Sequence, residues 1–510
     1  MTKVCSDGFV HRVLEIAKNN PQTIAINNLD TNEITTYSEL VANAQRKCYL
    51  LKKIGIKSED IVALCLPNGK EFVEFYLALL GCGAIPVFIN PKLTDIEFSK
   101  YLLLANPKLL IIENVSFDNH YLSIKDLEML VYGILLPNKD SDVSIEKATA
   151  MPINYFIDDK NIPLEKLILP IADQVVSIQF TYRGYGRPVK VVHQYRSLTS
   201  SSDGLHEHFH PQGIGSVHLV ALPLYAIFGL TVLMVFPLSI GATMLITNTL
   251  LNRNLAEVLS YNQVSFACLI PEIIRFFTKK LKRQKEQYLP LHPKLMLYSG
   301  GGHLPNFVAK QLAELLGCDN VLQGYGLTES FPIIVQSAIN NNAAGAMGKA
   351  ISNVEIRVVD DQGNNVARGK IGELIVYSQN IDMGYAAEEV QALTDFCKEK
   401  WLHTGDLVWQ DDEGNFFFYC QRLAITKIKS QMVDLKEVDQ YILQHPAVIK
   451  AFTYVERDDY EANYLTLCVV VNNDSITKAE LVTYLSNYLS PFKIPKHIEI
   501  TRKVNGNGYQ

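Results

Sequence analysis

The chain has 510 residues, 48% of them apolar and 20% charged, with a formal net charge of −6. That length supplies about two to four domains. The mildly acidic balance, with 47 basic residues spread throughout, argues against a nucleic-acid protein, which needs clustered positive charge. The nine cysteines are odd in number, widely spaced and never in a Cys-x-x-Cys pair, so they suggest neither a zinc module nor a disulfide framework. A reduced, cytoplasmic compartment fits best.

In chain order, Met1 to Asn20 is broken by Lys3, Asp7, His11, Arg12, Glu15 and Lys18, which leaves no apolar core for an export signal. Glu71 to Leu80 has helical apolar spacing and ends at Gly81 and Gly83; Ile85 to Ile89 reads as a buried strand. His218 to Leu250 carries no Asp, Glu, Lys or Arg. Pro223, Gly229, Pro237 and Gly241 punctuate it, so it reads as a buried strand–helix–strand and not as a membrane span. Leu295 to Tyr298 is a short strand running into Ser299-Gly300-Gly301-Gly302. Asn306 to Leu316 is a helix, with Asn306 as its expected N-cap and Gly317 as its stop. A further strand begins at Val321. Repeated strand–turn–helix units imply an α/β fold of mainly parallel sheets covered by helices. The last 90 residues differ: helices at Lys436–Gln444 and Lys478–Leu489 and strands at Val448–Val455 and Tyr464–Val471 form a small α+β lobe. The expected division is 1–419, a hinge at 420–425, and a mobile C-terminal lobe at 426–510.

His206, His208 and His210 alternate, so on a strand they would share one face and offer Zn²⁺ or Cu²⁺ ligands. Gly204, Pro211 and Gly213 surround them, so the stretch reads as an exposed polar loop in preference to a metal site. His193 is read as a structural residue beside an apolar strand.

Several motifs occur in one order: Ser299-Gly300-Gly301-Gly302, Gly324-Tyr325-Gly326-Leu327-Thr328-Glu329, Trp401-Leu402-His403-Thr404-Gly405-Asp406, and Glu437-Val438-Asp439. Together, from about residue 20 to the end, they resemble the adenylate-forming superfamily of acyl-CoA synthetases, aryl-acid ligases, luciferases and peptide-synthetase adenylation domains. The resemblance implies that a carboxylate attacks the α-phosphate of ATP, giving acyl-AMP and pyrophosphate, and that a thiol then takes the acyl group after the lobe rotates. It implies AMP or ATP with Mg²⁺, and coenzyme A or a phosphopantetheine. The implied partners are a small carboxylic acid or acyl donor and an acyl- or peptidyl-carrier protein. Gly300, Gly301 and Gly302 would let the backbone approach a flat ring closely. Tyr325 and Gly326 would face the purine, Thr328 a phosphate oxygen, Glu329 Mg²⁺, and Asp406 the ribose hydroxyls; Arg422 is the surviving hinge arginine.

Four places depart from the superfamily's pattern. The phosphate loop reads Thr181-Tyr182-Arg183-Gly184-Tyr185-Gly186-Arg187-Pro188-Val189-Lys190, where small hydroxyl residues and a lysine one place earlier are usual. Such loops hold polyphosphate with backbone N–H groups and hydroxyls. A remodelled surface loop without ligand is the first reading; an altered anion site, with Arg183 and Arg187 attracting the anion, is the second, and normal triphosphate binding the third. In Pro223-Leu224-Tyr225-Ala226-Ile227-Phe228, Ala226 replaces a frequent histidine; Tyr225, Ala226, Phe228 and His303 are the candidate acyl pocket. The hinge lacks its acid, and Ser430 replaces the glycine of the following loop, which in the superfamily faces the thiol tunnel. Asn507 stands at the position of the C-terminal catalytic lysine, and an amide cannot neutralise charge at phosphorus. The main expectation is therefore a ligase-like protein that binds acyl and AMP or acyl-AMP, with adenylation weak or lost and acyl transfer or condensation from an activated donor. The alternatives are an active ATP-dependent acid–thiol ligase and a non-catalytic acyl- or carrier-binding protein.

Overall fold

A computed structural model describes residues 7–113, 116, 120, 130–134, 160–182, 187–209, 212–283, 290–302, 304–318, 321–330, 333–335, 343–377, 397–398, 401–421, 425–460, 462–472, 475–504 and 508–509. Arg183, Gly184, Gly186, His210, His303, Arg422 and Asn507 lie outside the described residues.

The fold is α/β, with a large N-terminal body and a small C-terminal lobe. The body's longest sheet has nine strands, and its centre is parallel: Val321–Tyr325, Met296–Ser299, Phe266–Leu269, Val217–Val220 and Thr243–Ile246 lie side by side. Thr243–Ile246 is buried at every position, as expected of a strand covered on both faces. A six-stranded sheet is parallel until its edge, where Val175–Tyr182 and Pro188–Gln194 form an antiparallel hairpin around the phosphate-loop segment. Helix Lys70–Cys82 is buried nearly all round and belongs to one apolar cluster with residues of both sheets. Between body and lobe, Glu355–Val359, Gly372–Tyr377, Trp401–Gln410 and Phe416–Gln421 make an antiparallel sheet that the sequence reading did not resolve.

The charge-free stretch at 218–250 is a buried strand, helical segment and strand. Among the described residues no helix is long and apolar enough to cross a membrane. Helix Asn306–Leu316 has the expected bounds and stops at Gly317. Its N-cap is Pro305 and not Asn306, which is already helical, so no side chain caps that end. His206 and His208 lie on helix Tyr195–His208, neither on a strand nor in a loop. Two residues apart on a helix is about 200° of rotation, so they diverge. His208 Nδ1 is bonded to the Gly204 carbonyl instead, at 2.9 Å. Among the described residues no group of three His, Cys, Asp or Glu side chains is placed to hold a metal.

The lobe has its own core, including Val433, Val438, Ile442, Leu465, Leu467, Val469, Leu481 and Leu485. Helices Leu435–Ile442 and Lys478–Ser486 pack on Val448–Arg457, Asn463–Val471 and His497–Val504. A hairpin of Ile425–Ile428 and Gln431–Asp434 precedes them, with Lys429 and Ser430 at its tip.

Candidate active site

The parallel strands Met296–Ser299 and Val321–Tyr325 end in the glycine run and in Gly326-Leu327-Thr328-Glu329, so both motifs meet at one carboxyl edge of the sheet. Gly301 adopts φ +84°, a left-handed conformation that favours glycine. Gly300 is required for a different reason: a Cβ there would lie 2.7 Å from the Phe228 ring. The flat ring that approaches Gly300 is therefore the protein's own.

Asp406 comes from the antiparallel sheet. The pairing of Gly372–Tyr377 with Trp401–Gln410 slips between Glu373 and Ile375, opposite the residues from His403 to Leu407. Glu373 accepts the Gly405 N–H at 3.1 Å and contacts His403 Nδ1 at 3.1 Å, which holds this bulge. Asp406 is buried, and its Oδ2 accepts the Tyr325 phenol at 2.5 Å. Two motif residues 81 positions apart are thus joined directly.

A cleft open to solvent lies over this corner. Gly301, Gly302, Tyr325, Gly326, Leu327 and Asp406 line its body side. Five of these are sequence-predicted nucleotide contacts. Glu272, Arg275, Gln323, Met347, Phe418 and Gln421 also line it, and none was anticipated. Glu272 and Arg275 are one turn apart on helix Pro271–Arg283, which is the signal that could have found them. The lobe contributes Lys427, Arg457 and Asn463. Ser430 donates to Glu272 Oε2 at 3.2 Å, and a Cβ at Gly301 would lie 3.2 Å from the Ser430 hydroxyl. The hairpin tip therefore sits at the glycine run.

Other predicted residues fall beside this cleft. Glu329 is buried, while Thr328 is half-buried and its carbonyl accepts from His193 Nε2 at 2.6 Å. Burial pushes the His193 pKa down to about 4, so the ring is a neutral donor tying the phosphate-loop hairpin to Thr328. Thr181 and Lys190 pair with Val189 and Phe180 within that hairpin, and Arg187 donates to the Pro188 carbonyl at 3.3 Å. Tyr225 and Phe228 pack on the main apolar cluster, and Ala226 accepts the Leu230 N–H. None of these three lines the cleft described above.

Chemically, this arrangement offers a buried carboxylate acceptor and an aromatic ring, with cations from both body and lobe. A family model described as AMP-binding enzyme matches residues 13–386, and one described as AMP-binding enzyme C-terminal domain matches residues 437–507. A 4-coumarate–CoA ligase of Humulus lupulus is 25% identical over 476 residues, covering 91% of this chain and 84% of that protein. A long-chain-fatty-acid–CoA ligase of Yersinia pestis is 25% identical over 498 residues, covering 92% and 87%. Among solved structures, o-succinylbenzoate CoA synthetase from Bacillus subtilis superimposes with a TM-score of 0.80 at 20% identity, covering 98% of this chain and 96% of that one. An amide bond synthetase from Marinactinospora thermotolerans gives 0.82 at 18% identity, with the same coverage. At these identities the solved structures bear on the fold alone.

Proposed function

Because this chain belongs to the AMP-binding enzyme family, we propose that it is an ATP-dependent acid–thiol ligase. A carboxylate oxygen attacks the α-phosphorus of ATP and pyrophosphate leaves; a thiol sulfur then attacks the acyl carbon and AMP leaves. Coenzyme A is the thiol that the relatives' names suggest, and a carrier-bound phosphopantetheine has the same reacting end. The observation that carries this reading is the cleft itself, where Gly301, Tyr325 and Asp406 of the body face Lys427 and Asn463 of the lobe.

In this scheme Asp406 accepts the ribose hydroxyls, and the bond from Tyr325 fixes its orientation. Gly301 and Gly302 leave room for the nucleoside. Thr328 and Glu329 serve the phosphates. Glu329 is a hard oxygen donor of the kind Mg²⁺ takes singly beside substrate phosphates, and the ion would neutralise phosphate charge there. The division at 419 and 420, with 420–425 as hinge, belongs to the same proposal, as does an acyl pocket around Tyr225, Ala226, Phe228 and His303.

A second reading keeps the fold but weakens the first step. It is favoured by Tyr182, whose phenol points into the body–lobe seam and bonds Glu437 at 3.1 Å. A residue used that way is not a phosphate ligand, and Asn507 adds no charge. Acid-dependent exchange of labelled pyrophosphate into ATP, together with thioester formation from coenzyme A, tests both. Exchange plus thioester is the expected result, using aromatic and long-chain acids in parallel. Thioester from preformed acyl-AMP without exchange would replace the first reading by the second. Saturable acyl-AMP binding without either reaction would leave a binding protein.

A further inference from the structure

Where the phosphate-loop hairpin meets the lobe, four side chains close a buried ionic network. Glu97 comes from helix Asp95–Ala105 and Tyr182 from the end of strand Val175–Tyr182, both in the body. Glu437 comes from helix Leu435–Ile442 and Lys493 from the turn Pro491–Lys493, both in the lobe. All four are 3% exposed or less. The Lys493 ammonium donates to Glu97 Oε1 at 2.6 Å, to Glu437 Oε2 at 2.7 Å and to Tyr182 Oη at 3.1 Å. An ammonium has three donors, and each has an acceptor. Tyr182 passes its own proton to Glu437 Oε1, and Ser490 Oγ donates to Glu97 Oε2. Lys100, 3.5 Å from Glu437, brings the carboxylates and ammoniums to equal number.

We propose that this quartet is a latch that seats the lobe with its Ser430 hairpin in the cleft, and that Tyr182 is a positioning residue of the latch. Any rotation of the lobe takes Lys493 and Glu437 away from Glu97 and Tyr182. Glu97 then loses the only ammonium within reach of its carboxylate among the described residues, and four groups must be rehydrated at once. A complete, buried, charge-balanced network of this kind favours one arrangement over many. Two other contacts act with it: Arg275 Nε donates to the Tyr460 carbonyl at 2.8 Å, and Lys279 lies 3.8 Å over the Tyr460 ring. They tie helix Pro271–Arg283 of the body to the lobe. The ionic state supports the latch. Burial alone would raise the Glu97 carboxyl, yet Lys493 and its hydrogen bonds hold it below the usual range.

The kinetic consequence rests on the ligase reading: steps that need another lobe orientation must first break the latch. The seating itself does not depend on that reading. Amide hydrogen exchange of residues 425–434 in the full-length protein tests it. Glu97→Gln is the clean variant, because Lys493 keeps Glu437 within the lobe and an amide oxygen can still accept from Thr94, the N-cap of the same helix, whose N–H and hydroxyl donate to Glu97 Oε2. Exchange of the hairpin should rise about tenfold in Glu97→Gln, the equivalent of one lost charge-assisted hydrogen bond. Tyr182→Phe, which keeps the ring, should raise it about threefold to tenfold without changing exchange in the body's parallel strands. Unchanged hairpin exchange in either folded variant overturns the latch. Faster hairpin exchange alongside absent pyrophosphate exchange in the parent protein would sink the ligase reading and leave the latch standing.

Discussion

Two buried lysine–glutamate pairs in this molecule use the same chemistry for different ends. Lys47 and Glu74 meet at 2.5 Å between helices Tyr37–Lys53 and Lys70–Cys82, wholly inside the body. Lys493 meets Glu97 across the seam between body and lobe, and Glu437 beside it within the lobe. The first pair joins two helices of the body that belong to one apolar cluster. The second is the only contact among these with a moving part on one side, if the lobe turns as proposed. Burial of an ion pair is thus no guide to its role; what matters is whether its partners share one rigid layer.

Acid should separate the two regions most. His193 and His218 are buried in the body, and burial lowers their pKa values to about 4 and about 3. An unfolded histidine binds its proton near pH 6.5, so stability held above that value is lost as pH falls toward the folded values. At pH 4.5 each should cost the body about 2.5 kcal/mol. The seam behaves otherwise. Glu97, held low, contributes fully above its ordinary value of about 4.3 and weakens only as pH falls through a lower one. Lys493, held high by the flanking carboxylates against the pull of burial, contributes fully below its ordinary value and weakens only in strong base. Denaturant melts from pH 7 to 4.5 should fall steeply while hairpin exchange stays flat relative to the body.

Lys47→Met sharpens the contrast from the other side. It strands Glu74, which among the described residues keeps the Asn43 amide at 2.8 Å. A loss of about 3–5 kcal/mol in urea melts is expected, without preferential loosening of the lobe hairpin. Asp406→Ala tests the cleft. AMP affinity should fall about 10- to 100-fold by calorimetry, and the variant should no longer distinguish AMP from its 2′,3′-dideoxy form. Tyr182→Phe should leave AMP affinity within about twofold, since its phenol serves the seam. The smallest effect is expected for Ser430→Gly. It relieves a φ of +60° but removes the bond to Glu272, so opposing contributions of about 1 kcal/mol should leave stability within about 0.5 kcal/mol.

Much of the fold was legible because its signals are local. Helix Asn306–Leu316 showed its own apolar period and its own stop, and the charge-free run at 218–250 announced burial on both faces. The motifs themselves were legible by resemblance, and the structure brings Gly301, Gly302, Tyr325, Gly326 and Asp406 to one cleft. The histidine stretch was read as an exposed loop because of Gly204, Pro211 and Gly213, but a glycine does not prevent a helix, and His206 and His208 are helical. What the sequence could not reveal depends on docking. Lys427, Arg457 and Asn463 reach the cleft only through the seating of the lobe. Tyr182 read as a hydroxyl lost from a phosphate loop; its partners Glu437 and Lys493 are 255 and 311 residues away, beyond any local pattern.

The strand that delivers Asp406 has one further property. Trp401 and Trp409, the chain's two tryptophans, both ride on it, five residues before and three after that carboxylate. One indole lies against Tyr377, and the other stacks on Phe417 with ring centroids 4.0 Å apart. Emission excited selectively from tryptophan is therefore a label-free optical gauge of this strand, and occupancy of the neighbouring carboxylate can be followed by fluorimetry without attaching a dye.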